Sequence, residues 1–307
     1  ANKIWNAFRF VMMNFDDDAD FSKVDESKFT VGDKWILSRI NTVAREVTEN
    51  LEKFELGIGL SKIYEFIWEE FCDWYIELVK PRLYDREAKD RLEALFVLNE
   101  VLKKAMKLLH PFMPFITEEI YSHLITDDES IMISSWPEYS DGILYPEEEK
   151  LMSFLMDSIR GVRNIRAEMN VPAGRKAKAF FVVREQDIRE LVEEEKSTFN
   201  RLAGLSDIIT KSDKSGIPHD AVAVVVEGAE IFIPLEELID LKKEIERLEK
   251  EKANLEMELD RVNKKLSNQG FVSKAPAAVI DAEKEKLKKY SEMYEKILER
   301  LEALVNR

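Results

Sequence analysis

Residues Lys53–Tyr84 read KFELGIGLSKIYEFIWEEFCDWYIELVKPRLY. Ile63, Phe66, Ile67, Phe71, Trp74, Tyr75 and Leu78 recur three or four apart. That spacing predicts one long amphipathic helix, from about Phe54 to Val79. Gly57 and Gly59 lie near its start, where a neighbour can pack closely. Pro81 is expected to end it, because proline has no N–H for the helix ladder and disfavours helix at Lys80. The stripe is wide and aromatic, so this helix is expected at the centre with others laid around it.

Upstream, Ile4, Trp5, Phe8, Val11 and Met12 give a helical stripe. The chain starts in mid-helix without an initiator methionine and reads as a piece of a longer one. Residues 15–31 are acidic and irregular, a loop that includes the Asp16–Asp18 run. Asp33 is the expected N-cap of a helix over about Lys34–Phe54, with Trp35, Leu37, Ile40, Val43, Val47 and Leu51 inward. Downstream, a fourth helix runs to about Leu109, and Pro111 and Pro114 break it before a short helix at Thr117–Leu124. Residues 1–147 thus read as a helical bundle with a loop-like end.

Residues 148–234 change period. A leading helix over about Glu148–Asn170 carries Arg160, Arg163 and Arg166 three apart. Then follow a strand at Ala177–Val183, a helix at Asp187–Leu202, a short strand at Asp207–Thr210 and the hairpin AVAVVVEGAEIFIP, turning at Gly228. This is a small α+β subdomain, expected to be antiparallel. In residues 235–307, Leu238, Leu241, Ile245, Leu248, Lys252, Leu255, Leu259, Val262 and Leu266 alternate spacings of three and four. The segment SNQGFVSKAP breaks that helix, and Ile280, Leu287, Tyr290, Tyr294, Ile297, Leu301 and Leu304 repeat the seam. Two heptad helices joined so briefly must fold back as an antiparallel coiled-coil hairpin. The fold class is therefore mostly α: helical bundle, small α+β subdomain, C-terminal hairpin.

The 307 residues allow two domains or a little more. A hydrophobic share of 45% supplies a core, and a charged share of 35% fits long exposed helical faces. No apolar run reaches the roughly 18–20 residues of a membrane span, and the helical, aromatic N-terminus does not read as a signal peptide. The lone cysteine, Cys72, lies inside the central helix; it excludes an internal disulfide and fits a cytoplasmic, reducing setting. Net charge is −15, which excludes a general nucleic-acid binder but not a local phosphate-binding patch. No Gly-rich phosphate loop, metal-ligand spacing or nucleophile motif occurs. His110, His123 and His219 are scattered, so no catalytic residue and no metal site are expected. Arg160, Arg163, Arg166 and Arg175 form the densest basic region, read as a candidate row of phosphate contacts. The hairpin is nearly neutral.

EFCDWYIELVKP at Glu70–Pro81, HPFMPFITEEIY at His110–Tyr121, KKLSNQGFVSKAP at Lys264–Pro276 and NKIWNAFRF at Asn2–Phe10 together resemble bacterial valyl-tRNA synthetases. The His110–Tyr121 motif is shared with isoleucyl and leucyl relatives; the hairpin tip points to valine. The resemblance covers the whole chain but only the C-terminal third or so of such an enzyme. The His-Ile-Gly-His and Lys-Met-Ser-Lys-Ser signatures that hold ATP are absent, as is the editing domain. The resemblance implies a non-catalytic part of a valine–tRNA ligase, with ATP and Mg²⁺ used only by the full-length enzyme. It implies an anticodon-binding bundle and an arm reaching the outer corner of a valine-specific tRNA. Other implied partners are the catalytic domain of the same chain and no membrane, in a monomer. Phe10 matches a family aromatic that packs on an anticodon base. Arg261 and Lys286 match corner-contacting positions that are arginine in some members; lysine at 286 lacks a planar face for stacking. A rival reading is a protein–protein scaffold whose hairpin docks a partner helix. An isoleucyl relative is disfavoured, because those enzymes commonly end in cysteine-rich zinc modules.

Overall fold

The aromatic stripe forms one uninterrupted helical run in three parts: α3 (Leu56–Glu65), a π-helical segment (Phe66–Tyr75) and α4 (Ile76–Tyr84). In the π segment the ladder widens, and the Ile76 N–H reaches back to the Phe71 carbonyl. The wider turn carries Phe66, Ile67, Phe71, Trp74 and Tyr75 all into the core. Pro81 does not end the run; the helix continues to Tyr84, and the Asp85 N–H closes on the Pro81 carbonyl at 3.2 Å. Proline inside a helix costs about 3 kcal/mol. That cost is offset by the last turn, which buries Leu83 and delivers Arg82 to two carboxylates.

This computed structural model describes all residues except 1, 16–18, 127, 239–240, 269, 271–272, 274–275 and 306–307, and the side chains of 241–244, 300 and 303–305. The acidic run Asp16–Asp18, much of the hairpin tip, and the Leu241 and Leu304 seam side chains therefore lie outside the described set. The chain divides into two units, Ala1–Asp157 and Ser158–Arg307.

The first unit surrounds the central run with α1 (Asn2–Asn14), α2 (Val31–Glu52), α5 (Arg91–Leu109) and α6 (Pro114–Tyr121). The N-cap of α2 is Thr30, not Asp33. Thr30 Oγ1 accepts from the Asp33 N–H at 3.2 Å, and Asp33 Oδ2 accepts from the Thr30 N–H at 2.9 Å, a reciprocal capping box. Asp33 sits one turn in because its carboxylate has a second task. It accepts from the Tyr75 hydroxyl at 2.7 Å and from Arg82 Nη1 at 2.9 and 2.7 Å. Arg82 Nε also lies 2.7 Å from Asp90. This buried network ties the start of α2 to the end of α4. Asn41 likewise holds the 140–143 loop, donating to the Ser140 and Ile143 carbonyls and accepting from the Ser140 N–H.

The segment α7 (Pro146–Glu168) spans the boundary between the units. The second unit contains β1 (Ala177–Val183), α8 (Gln186–Glu194), α9 (Lys196–Leu202), β2 (Leu205–Lys211), β3 (Val222–Val226) and β4 (Ala229–Ile233). Strand order is β2-β1-β4-β3. The sheet is mixed rather than antiparallel: β2 runs parallel to β1, whereas β4 is antiparallel to both β1 and β3. Two helices separate β1 from β2, and such a crossover returns the chain in the same direction. Phe199 of α9 packs edge-on against Phe181 with centroids 5.1 Å apart. Gly161 of α7 lies so close to Val224 that an added Cβ would stand 2.4 Å from its Cγ1.

After the sheet come α10 (Leu235–Leu238), α11 (Leu241–Ser267) and α12 (Ala277–Val305). Leu248, Leu255 and Ile297 form a buried seam between the last two, flanked by Tyr290, Tyr294 and Leu301. Across it, the Tyr294 hydroxyl donates to Glu256 Oε1 at 2.7 Å, and Lys265 pairs with Glu283 at 3.4 Å. These contacts set α11 and α12 side by side as the expected hairpin.

Candidate nucleic-acid interface

One turn of α1 places Ala7, Phe8 and Val11 in the core. The opposite side is left to Asn6, Arg9 and Met13, all exposed, with half-buried Phe10 at its margin. Phe10 meets Tyr84 edge-on at 6.4 Å, and Lys80 Nζ lies 5.7 Å from the Phe10 ring centroid. Tyr84 is itself 67% exposed. Two aromatic rings and a cation, Lys80, which also pairs with Glu77, thus share one stretch of surface, which suits an unstacked base beside a phosphate. On the other flank of α1, Trp5, Phe8, Arg9, Met12 and Met13 with Glu119 and His123 line a shallow groove of about 480 Å³. Phe8 and His123 meet edge-on at 5.6 Å there. Of this set only Phe10 was singled out from the sequence. Arg9 and Met13 were detectable as residues off the apolar stripe of α1; Lys80 and Tyr84 join only through the packing of α4 on α1.

The row of arginines is split. Arg166 is buried, and its guanidinium donates to three carbonyls: Gly204 at 3.2 Å, Pro172 at 3.3 Å and Arg175 at 2.7 Å. It lies flat on Gly204, whose φ of +69° and missing Cβ make room for it. Burial pulls its pKa down from the usual arginine value, but the ordinary value is so high that the charge is kept. Arg175 is half-buried and donates through Nε to the Glu237 carbonyl at 2.6 Å and through Nη2 to that of Glu236. Arg166 therefore ties α7 to the loops that precede β1 and β2, and Arg175 ties the loop before β1 to α10, rather than extending a phosphate track. Arg160 and Arg163 are exposed, and Arg163 Nε donates to the Leu202 carbonyl at 2.6 Å. The reason is helical geometry: a spacing of three drifts about 60° per step, so the third member turns onto the buried face.

On the hairpin, the Arg261 side chain is 68% exposed and lies 3.6 Å from Glu258. Lys286 is 54% exposed and pairs with Glu283 at 3.1 Å. Glu283 is buried, and the ammonium groups of Lys286 and Lys265 hold its carboxyl below the usual carboxylate range. Lys286 is thus steadied by a carboxylate that also bridges to the other arm. Among the described residues, Leu248, Leu255 and Ile297 of the heptad seam are consumed between the two arms rather than offered to the partner helix of the scaffold reading.

His110 Nδ1 sits 2.7 Å from the Thr117 hydroxyl, within a helix break. Burial pushes the Cys72 thiol up to about 11, so it carries little thiolate near neutrality. Among the described residues no group of three or more His, Cys, Asp or Glu could hold a metal ion, and no helix is long and apolar enough to cross a membrane.

Two family models match. Residues 33–181 match the anticodon-binding domain of tRNA ligase, and residues 240–305 match the valyl tRNA synthetase tRNA binding arm. Among curated relatives, a valine–tRNA ligase of Clostridium perfringens is 51% identical over 304 residues, covering 99% of this chain. One of Clostridium acetobutylicum is 48% identical over 304 residues, again 99% of this chain. One of Bacillus thuringiensis is 43% identical over 301 residues, or 98% of it. The chain belongs to the valyl-tRNA synthetase family. It spans only 34% of the length of each of these three relatives. The family's anticodon-binding domain takes in α2 through β1, and its tRNA-binding arm is the α11–α12 hairpin. The α1 face lies before the first matched range but within the stretch aligned to the relatives.

Proposed function

We propose that this chain is the tRNA-holding part of a valine–tRNA ligase, gripping a valine-specific tRNA at two distant points. The bundle takes the anticodon loop on the outward face of α1, and the hairpin arm takes the outer corner. The observation that carries the reading is the cluster of Phe10, Tyr84 and Lys80 on a bundle whose family binds anticodons. A splayed loop offers unstacked bases, which an aromatic face holds at about 1–3 kcal/mol each. Arg261 and Lys286 meet the corner, with Lys286 acting through charge alone. Arg160 and Arg163 contact phosphates.

Valine activation belongs to another part of the same polypeptide, which works as a monomer in the cytoplasm. ATP and Mg²⁺ do not fit these residues: the described side chains form no metal cluster, and the nucleotide-holding signatures are absent from the sequence. Both serve that other part of the polypeptide.

Phe10→Ala is expected to weaken binding of valine tRNA about 5- to 150-fold, the equivalent of one lost stacking contact. The bundle should keep its melting temperature, because Phe10 is only half-buried. Unchanged affinity in a filter-binding titration would remove Phe10 from the interface. Arg261→Glu should lower affinity even for tRNAs with altered anticodons. It should also flatten the dependence of log affinity on log salt by about one phosphate's worth or more. An unaltered salt slope would deny the arm its contact.

A further inference from the structure

The helical run that organises the first unit leaves one of its own faces bare. Leu56, Leu60, Tyr64 and Trp68 fall four residues apart and are 54%, 37%, 55% and 38% exposed. Side chains four apart line one side of a helix. The Tyr64 and Trp68 rings stack at 5.2 Å with planes 21° apart, which flattens that end of the stripe. At the other end stands Phe54, 88% exposed.

Phe54 is held there at a conformational cost. Its φ is +59°, the left-handed region that disfavours residues with a Cβ. It ends α2 in a Schellman turn: its own N–H donates to Leu51 and the next N–H, of Glu55, to Asn50, at 3.0 and 2.8 Å. Glycine suits that position best. An exposed, strained aromatic beside an exposed apolar stripe gains nothing within the first unit. A contiguous apolar surface of this kind marks a contact with another polypeptide surface.

We infer that the Phe54–Leu56–Leu60–Tyr64–Trp68 face is the seat of the remaining part of the parent polypeptide, the part outside these 307 residues. This rests on the proposed reading that the chain is a portion of a longer ligase. Three observations choose that occupant. The chain spans 34% of the length of its Clostridium perfringens relative, so about twice its own length of polypeptide needs a surface to pack on. The stripe is continuous with the first turn of α1: Lys3 Nζ donates to the Trp68 carbonyl at 3.0 Å, pairs with Asp73 at 2.7 Å and lies 4.2 Å from the Trp68 ring centroid. The margin of the stripe carries Glu55, Glu65 and Glu69, while two of the lysines beside it, Lys3 and Lys62, are already paired with Asp73 and Glu46, a balance that disfavours tRNA as the occupant.

The test is hydroxyl-radical labelling of the full-length parent polypeptide beside the 307-residue chain, with and without valine tRNA. Tyr64 and Trp68 are expected to label at least fivefold more slowly in the parent protein, before tRNA is added and equally after tenfold dilution. Equal labelling in the two proteins overturns the inference. Protection that appears only with tRNA overturns it in favour of a nucleic-acid face, and protection that fades on dilution in favour of a second copy. Leu60→Asp in the parent protein should restore labelling to the level of the 307-residue chain; retained protection would also overturn it. The same substitution in the 307-residue chain should leave tRNA affinity unchanged. Failure of the unmodified chain to bind tRNA would sink the functional reading instead, whatever the labelling shows.

Discussion

Arg82→Ala lowers the stability of the helical bundle by about 3–5 kcal/mol, the usual cost of removing one partner of a buried ion pair. Asp33 is fully buried, and Arg82 is its only cationic partner among the described residues. Truncation strands the Asp33 carboxylate in the core and also removes the bridge to Asp90. Urea unfolding followed by circular dichroism reads this directly as a lower midpoint with an unchanged slope. A loss below about 1 kcal/mol would place the pair among weak surface ion pairs.

The same network has a pH signature. Burial, reinforced by the Asp33 carboxylate, raises the Tyr75 pKa well above the ordinary tyrosine value of 10.0. In the unfolded chain Tyr75 ionises near pH 10; in the folded chain it keeps its proton. The folded state therefore binds more protons above pH 10, and stability is lost as pH rises from there. Below pH 10 the contribution is complete. Tyr75→Phe should abolish this component, making the decline above pH 10 shallower by up to about 1.4 kcal/mol per pH unit.

Arg166→Ala is the second large effect, and it separates two roles that one sequence motif had joined. Arg166 donates to three backbone carbonyls from a buried position; those of Gly204 and Pro172 keep the Ala177 and Arg175 N–H groups, and the Arg175 carbonyl loses its arginine donor at about 1–3 kcal/mol, to which the buried packing of the side chain adds. The second unit should lose a few kcal/mol, with early amide exchange in residues 171–176 and around Gly204. Arg160→Ala should leave stability within about 0.5 kcal/mol but reduce the salt slope of tRNA binding by about one. The reverse pattern, a stable Arg166→Ala protein with weakened tRNA binding, would restore a continuous phosphate row.

These two arginines show where sequence reading stops. Arg160 and Arg166 carry the same charge on the same helix, and helical drift alone shows that they leave one face, not which partners the second one meets. Their fates diverge because the helix rotates the second one over Gly204, a neighbour supplied by a distant turn. Lys80 and Tyr84 likewise lie past the end expected for the central helix at about Val79. They reach Phe10 because the helix runs on to Tyr84 and packs on α1. The parallel pairing of β1 with β2 was missed for a related reason: period and turn residues report that strands exist, not which edge they join.

What the sequence alone determined is whatever depends on repeats along the chain. The helical class, the strand at 177–183, the turn at Gly228 and the self-burying hairpin all follow from spacings of two, three and four residues. The family motifs are legible for the same reason, as short contiguous runs. The tertiary structure alone decided which polar side chains are spent inside the protein and which remain on the surface. Burial of the Asp33 carboxylate is settled by Arg82, 49 residues away, and local pattern carries no record of such a partner.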